Sequence, residues 1–402
     1  MHHCIVELTK KSFIPTKGGI ISNSNSVKPK SFRSAQVGLL GAIGCLLALV
    51  SGPVIGGSLS TPDGKMLPRT TSEQAKANAD RVVNFSRTVT ELSRTYTISY
   101  LTECVDNPYC VARLQGIQDA ADKYGMTLKT FDSAWSLTAQ TRTAEMAVAE
   151  GVFDGYIFGP LAPEPSCKLW QRVLVPTGKP VVTVTVPMCG DTDWTPGTAA
   201  QFQQQGEVHY QELVDYAFAS CESECEVLAV GGFVGSQLQN YWEGAVARGL
   251  EKYPNAKVVV QETANFDPRM AYKKTQDALV YKPNISVVVS NWDDMSRGIE
   301  AAITSSGYKP GVDIRIYSAG ANQGSVEKLI AGTMNASLAL LPYDEGYYAT
   351  IALAMAMEGD PINGHVDESW LPLVQDSTGT PLITPENVDV WRPRFGGSIF
   401  KY

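Results

Sequence analysis

The sequence predicts an α/β protein built from two consecutive units, each a parallel sheet with helices on both faces. Three observations predict it. Short β-branched and aromatic runs alternate with amphipathic stretches of roughly ten to fifteen residues, the rhythm of strand–helix–strand units. That rhythm runs twice at similar length. Between the two runs lies DTDWTPGTA, residues 191–199, whose proline and glycine mark a crossing between units.

Taken in order, residues 61–92 are polar, and TSEQAKANADRVVNFSRTVTELS reads as a leading helix over the surface. TYTISYL (95–101) is a strand. The Gln115–Tyr124 stretch is a helix, with Ile117, Ala120, Ala121 and Tyr124 at helical spacing and Gly125 as its stop. MTLKTF is a strand, TAQTRTAEMAVAEG a helix closed by Gly151, and DGYIFGP and KPVVTVTVP are further strands. In the second unit GEVHYQELVDYAFA is a helix, CEVLAVGG a strand and WEGAVARGLEKYP a helix. KVVVQET, ISVVVSN and DIRIYSAG continue as strands, with MAYKKTQDALVYKP, SRGIEAAITSSG and SVEKLIAG as the helices between them. A long helix, DEGYYATIALAMAMEG, precedes an irregular tail.

The chain has 402 residues, enough for two medium cores, and 44% hydrophobic against 18% charged residues describes a globular protein. Charge is uneven. Residues 1–60 hold six basic residues and one acidic, so the remainder carries −13 where the whole chain carries −8. An acidic body argues against nucleic acid or an anionic membrane as the main partner. Lys10, Lys11, Lys17, Lys28, Lys30 and Arg33 precede VGLLGAIGCLLALV (37–50), with small residues and a cleavage-like Ser58-Leu59-Ser60 beyond. Residues 1–60 therefore read as an export signal or, uncleaved, an N-terminal membrane anchor, and the protein as periplasmic or extracellular. Removal of that segment takes Cys4 and Cys45 with it. Six cysteines remain: Cys104, Cys110, Cys167, Cys189, Cys221 and Cys225. Six allow 15 pairings, and local spacing favours 104–110 and 221–225, leaving 167–189. With only His209 and His365 beyond residue 60 and no C-x-x-C, disulfides are expected rather than a metal.

Ligands of open α/β sheets bind beyond the carboxyl ends of the strands. The loops there are Cys104–Cys110, Ser133-Ala134-Trp135, Gly159-Pro160, Pro187-Met188-Cys189, Gly231–Tyr241, Asn291-Trp292-Asp293 and Ser318–Asn322, rich in aromatics and glycine and poor in charge. No G-x-S-x-G elbow, Walker loop or dinucleotide fingerprint occurs, so neither an enzyme nor a cofactor is expected. Asp293-Asp294 is the best acid/base candidate, and an N-cap followed by a first-turn acid accounts for it equally well. Trp135, Trp242 and Trp292 sit on strand-end loops or beside helix entrances, where aromatic faces bind sugar rings, planar ligands or ammonium groups. Between its two cysteines, the Asn107-Pro108-Tyr109 loop reads as a preorganised ligand wall.

These residues resemble the type I periplasmic solute-binding proteins, the ribose/galactose-type branch serving ABC importers, over about residues 95–390. A strand followed by Asn107-Pro108-Tyr109 and a helix ending GIQDAADKYG carries the resemblance. FDGYIFGPLAP, GKPVVTV, FDPRMAYKKTQDALVYKPNISVVVSNWDDMSRGIEAA and LLPYDEGYYATIALAM follow in the family's order. The resemblance implies two Rossmann-like lobes joined by a three-crossing hinge and closing on a ligand. It places the crossings near residues 192, 340 and 362. The N-terminal lobe is then 93–192 with 341–362, and the C-terminal lobe 193–340 with 363–402.

Carried over by position, Tyr109 corresponds to the family's stacking aromatic and Asp293 to its acidic ligand contact. Trp242, Gly320 and Leu340 stand where sugar binders carry Arg, Asp and Gln. Together with Asn107, Trp135, Pro160 and Trp292 these form the candidate site. Loss of three polar contacts points away from an ordinary pentose or hexose, toward a smaller, less hydroxylated or cationic ligand. The expected partner of this monomer is an ABC-importer permease, or alternatively a membrane histidine kinase that it serves as sensor subunit. An export signal stands where the related repressors carry a DNA-binding motif, so DNA is not a partner.

Overall fold

The computed structural model describes residues 70–190, 192–203 and 206–395. The expected signal at 1–60, Cys4 and Cys45 lie outside these. Two six-stranded sheets organise the described chain. The first contains β1 (Thr97–Thr102), β2 (Thr127–Asp132), β3 (Gly155–Phe158), β4 (Val181–Val184), β5 (Ala200–Gln203) and β11 (His365–Asp367). Its order is β11-β5-β4-β3-β1-β2, and every pair is parallel. The second contains β6 (Cys225–Gly231), β7 (Ala256–Thr263), β8 (Ile285–Ser290), β9 (Arg315–Gly320), β10 (Ala336–Ala339) and β12 (Leu382–Ile383), in the order β12-β10-β9-β8-β6-β7. There only β12 runs antiparallel. Strands such as β3, β4 and β10 are buried along their whole length, as strands covered by helices on both faces must be.

The helices are α1 (Ser72–Thr88), α2 (Pro108–Lys123), α3 (Leu137–Glu150), α4 (Pro163–Leu169), α5 (Glu207–Ala219), α6 (Gln237–Lys252), α7 (Pro268–Tyr281), α8 (Asp293–Ser305), α9 (Gln323–Ala331) and α10 (Pro342–Met357). Local chemistry sets their ends. Thr71 and Gln74 form a capping box at α1. Asn107 caps α2 by accepting from the Cys110 N–H at 2.9 Å, and Pro108 occupies the first turn. Helices α2 and α10 cross at glycines: a Cβ at Gly116 would overlap the Tyr343 carbonyl oxygen, and one at Gly346 the Arg113 carbonyl oxygen.

Sheet membership moves two of the three expected crossings. Ala200–Gln203 pairs with β4, so the chain leaves the first sheet after Gln203 rather than near 192. His365–Asp367 pairs with β5, so the last departure follows Asp367 rather than 362. Between them the chain returns to the first lobe at Leu340-Leu341, and α10 packs on α2. The displaced boundaries belong to two short strands, AQFQ and, at the sheet edge, HVD, that lack an apolar run of their own. The leading helix is also more than a surface cover. Ala79 and Val82 are fully buried, and Asn78 donates to the His365 carbonyl on edge strand β11 at 2.8 Å. Such cover shields an otherwise open sheet edge.

A candidate ligand cleft

At the carboxyl ends of both sheets a cleft of about 710 Å³, counting its mouth, opens between residues of the two lobes. The first lobe contributes Glu103, Asn107, Tyr109 and Cys110 after β1, Trp135 after β2, Pro160 and Leu161 after β3, and Thr185 and Val186 after β4. From the second come Phe233 and Ser236–Leu238 after β6, Phe266 after β7 and Trp292 after β8. Trp292 is 8% exposed and meets Phe266 edge-on at 5.5 Å, while Trp135 is 47% exposed at the mouth. Three lining residues hold left-handed backbone: Trp135 (φ 59), Thr185 (φ 67) and Phe266 (φ 58). None is glycine, and each costs about 1–3 kcal/mol, a strain that clusters where a binding geometry is held ready.

Beneath the first-lobe wall lies a buried polar network. Arg113, on α2, is fully buried and forms an ion pair with Glu103 at 2.5 Å. Its Nε donates to the Tyr100 hydroxyl and its Nη1 to Thr185 Oγ1, both at 2.5 Å. Glu345, in the first turn of α10, accepts from the Tyr109 hydroxyl at 2.8 Å and from Thr185 Oγ1 at 3.0 Å, with Arg113 3.4 Å away. Burial works against the guanidinium charge, but Glu103, Tyr100 and Glu345 outweigh it and hold the pKa of Arg113 well above its ordinary value. Burial raises the Glu345 carboxyl despite Arg113. Burial, then Glu345 and Asp344, push Glu368 well above the carboxylate range, and neither of its oxygens has a hydrogen-bond partner among the described residues. Glu368 follows β11 directly, so this cluster sits where two of the crossings meet the first lobe.

Five of the nine residues expected at the site line the cleft: Asn107, Tyr109, Trp135, Pro160 and Trp292. Four do not. Trp242 is fully buried in the second-lobe core, edge-on to Tyr210 at 5.6 Å. Ser236 caps α6, so the first residues of that helix face the cleft and Trp242 turns inward. Asp293 is buried and accepts from Ser337 Oγ at 3.0 and 3.1 Å, from Ser325 Oγ and from the Asn322 N–H. Burial raises its pKa against the serine hydrogen bonds. Gly320 (φ 149) makes room for that carboxylate, since a Cβ there would press on Asp293. Leu340 belongs to the apolar cluster behind Trp292. Sequence reading missed Glu103, Thr185 and Phe266. Glu103 was legible as the residue following β1, and Phe266 as the aromatic before the Asp267-Pro268 helix start.

Disulfides join Cys104 to Cys110, Cys167 to Cys189 and Cys221 to Cys225, with Cα separations of 5.8, 4.9 and 5.7 Å. The first ties down the loop carrying Asn107 and Tyr109. No helix among the described residues is long and apolar enough to cross a membrane.

A family profile described as a periplasmic binding protein domain matches residues 98–361. The D-apiose import binding protein of Actinobacillus succinogenes is 28% identical over 103 residues, 25% of this chain and 32% of its own length. The match thus spans about a third of that curated relative. Among solved structures, the Caulobacter myo-inositol binding protein aligns with a TM-score of 0.65 at 19% identity, covering 74% of this chain and 95% of its own. The binding component of the arabinose ABC transporter from Shewanella sp. ANA-3, bound to L-arabinofuranose, aligns at 0.64 and 20% identity, covering 73% and 93%. These similarities establish the two-lobed fold.

Proposed function

Since the chain belongs to the periplasmic binding protein domain family, we propose that it is an extracytoplasmic receptor, not an enzyme, that captures a small ring-shaped ligand between its lobes and delivers it to an ABC-importer permease. One observation carries this reading. Aromatic residues from both lobes, Tyr109 and Trp135 from one and Phe266 and Trp292 from the other, converge on one cleft at the strand ends. Such faces suit the apolar sides of a sugar or cyclitol ring, and the related structures carry ligands of that kind. Trp242, Gly320 and Leu340 are the residues that point away from pentoses and hexoses in the sequence. None of these lines the cleft, so their identities say nothing against a sugar. Nothing in the cleft favours the sensor alternative. Paired cysteines support a location outside the cytoplasm.

A thermal-shift screen over pentoses, hexoses, cyclitols and quaternary amines tests the proposal. A ligand at 100 times its dissociation constant stabilises the fold by about 2.7 kcal/mol, an easily read shift. A melting temperature unmoved by every class at millimolar concentration would sink the receptor reading.

A further inference from the structure

Among the described residues, the lining of the cleft includes one carboxylate, Glu103, and no lysine, arginine or histidine. From its surroundings we infer that Arg113 is a positioning residue that sets Glu103 as the polar reader of the cleft. We infer also that the cleft takes ligands presenting hydrogen-bond donors, neutral or cationic, and turns away anions. This rests on the receptor reading above and narrows its ligand class.

Glu103 is held from two sides. Arg113 forms its ion pair at 2.5 Å, and on the other side Gly159 follows β3 so closely that a Cβ there would overlap Glu103 Oε2. A carboxylate fixed in this way has lone pairs left over, and it can only accept. The neighbouring hydroxyl reinforces the bias. Thr185 Oγ1 accepts from Arg113 and gives its single proton to Glu345, so it has none to offer a ligand acceptor. The Tyr109 hydroxyl likewise donates to Glu345. On the first lobe, then, these polar groups are acceptors or already committed donors. The charges nearby lean the same way: one guanidinium, Arg113, stands against two carboxyl groups, Glu103 and Glu345. An anionic ligand would meet the Glu103 carboxylate with no cationic side chain in the described lining to receive its own charge, which is a basis for rejection. Arg113 is fully buried and does not line the cleft. It acts through Glu103 and Thr185, and its planar fork addresses both together.

The test compares D-galactose, D-galactosamine and D-galacturonate, with L-arabinose and myo-inositol alongside, by thermal shift and then calorimetry at pH 7. At least one neutral or ammonium probe should bind, and galacturonate should bind at least about tenfold more weakly than that probe. Glu103→Gln and Gly159→Ala should each narrow this ratio at least about threefold; the second displaces the carboxylate without removing a charge. Arg113→Lys keeps the charge but loses the fork, so it should recover the melting temperature lost in Arg113→Met without recovering the ratio. Galacturonate binding as tightly as the best neutral probe overturns the inference while leaving the receptor reading intact. So does an unchanged ratio in folded Glu103→Gln and Gly159→Ala, or wild-type affinity and ratio in Arg113→Lys. If no neutral or ammonium probe shifts the wild-type melt, this inference fails, and the receptor reading fails with it once the quaternary amines of the wider screen are silent as well.

Discussion

The Tyr109 hydroxyl donates a 2.8 Å hydrogen bond to Glu345 Oε2, tying a cleft wall to the first turn of the helix that follows the middle crossing. The ring itself packs among second-lobe side chains and meets Phe395 edge-on at 6.3 Å. One side chain therefore touches the cleft, the hinge and the opposite lobe. Tyr109→Phe keeps the ring and removes only the bond to a buried carboxylate. We expect a loss of about 1–3 kcal/mol in urea unfolding, the usual cost of stranding a charged acceptor. Unchanged stability would mean that Tyr109 acts through its ring alone.

Trp292 and Asp293 are neighbours in sequence with separate tasks. Trp292 lines the cleft, while the Asp293 carboxylate is enclosed by Ser325, Ser337 and the Asn322 N–H. Trp292→Leu should weaken binding of whichever compound stabilises the wild type by about 3- to 30-fold, as expected for losing one aromatic wall. Asp293→Asn should instead lower stability by about 1–3 kcal/mol by breaking a buried network, with affinity preserved. Calorimetry and unfolding curves on both variants separate the two. A large affinity loss in Asp293→Asn would return that carboxylate to the ligand.

This pair also shows what sequence could and could not reveal. Strand-end position was enough to place Tyr109, Trp135, Pro160 and Trp292 along the cleft, because a parallel sheet delivers every such loop to one edge. Helix phase was not available. Adjacent residues on a helix point about 100° apart, so Trp292 at the cap and Asp293 in the first turn diverge. Trp242, several residues into α6, turned inward for the same reason. Thr185 and Phe266 reach the cleft through left-handed backbone, which nothing in a threonine or phenylalanine announces. Within the fold, the long strands and helices were legible from their periodicity. The short strands Ala200–Gln203 and His365–Asp367 were not, since pairing with a neighbour defines them rather than any pattern of their own.

The α2–α10 crossing offers a sharper structural test. At Gly116 an added Cβ would meet the Tyr343 carbonyl and the Tyr347 N–H, both backbone, so no side-chain rotation can relieve the clash. Gly116→Ala should cost at least about 1–3 kcal/mol, the penalty of overpacking a core. Helix propensity alone would favour alanine by roughly 1 kcal/mol. The sign of the change, read by urea titration, therefore decides between close packing and a loose crossing.

Asp344 stands beside this crossing and gives stability a pH dependence of unusual sign. Burial pushes its carboxyl up to about 6, although Arg394 donates to it at 3.0 Å and pulls the other way. In an unfolded chain an aspartate titrates near 3.9. Between roughly pH 4 and pH 6 the native state therefore holds a proton that the unfolded state has released. Stability must then fall as pH rises through that window, by up to about 3 kcal/mol for a two-unit shift. Burial shifts Glu345, Glu368 and Asp293 in the same direction, so they add to the decline. Asp344→Asn cannot titrate. Its stability relative to wild type should rise by about 1–3 kcal/mol between pH 4 and pH 7, whatever constant offset the lost Arg394 contact imposes. Urea unfolding of both proteins at those two pH values measures the difference. A constant gap would show that Asp344 is already ionised at pH 4, stabilised by Arg394 more than burial opposes it.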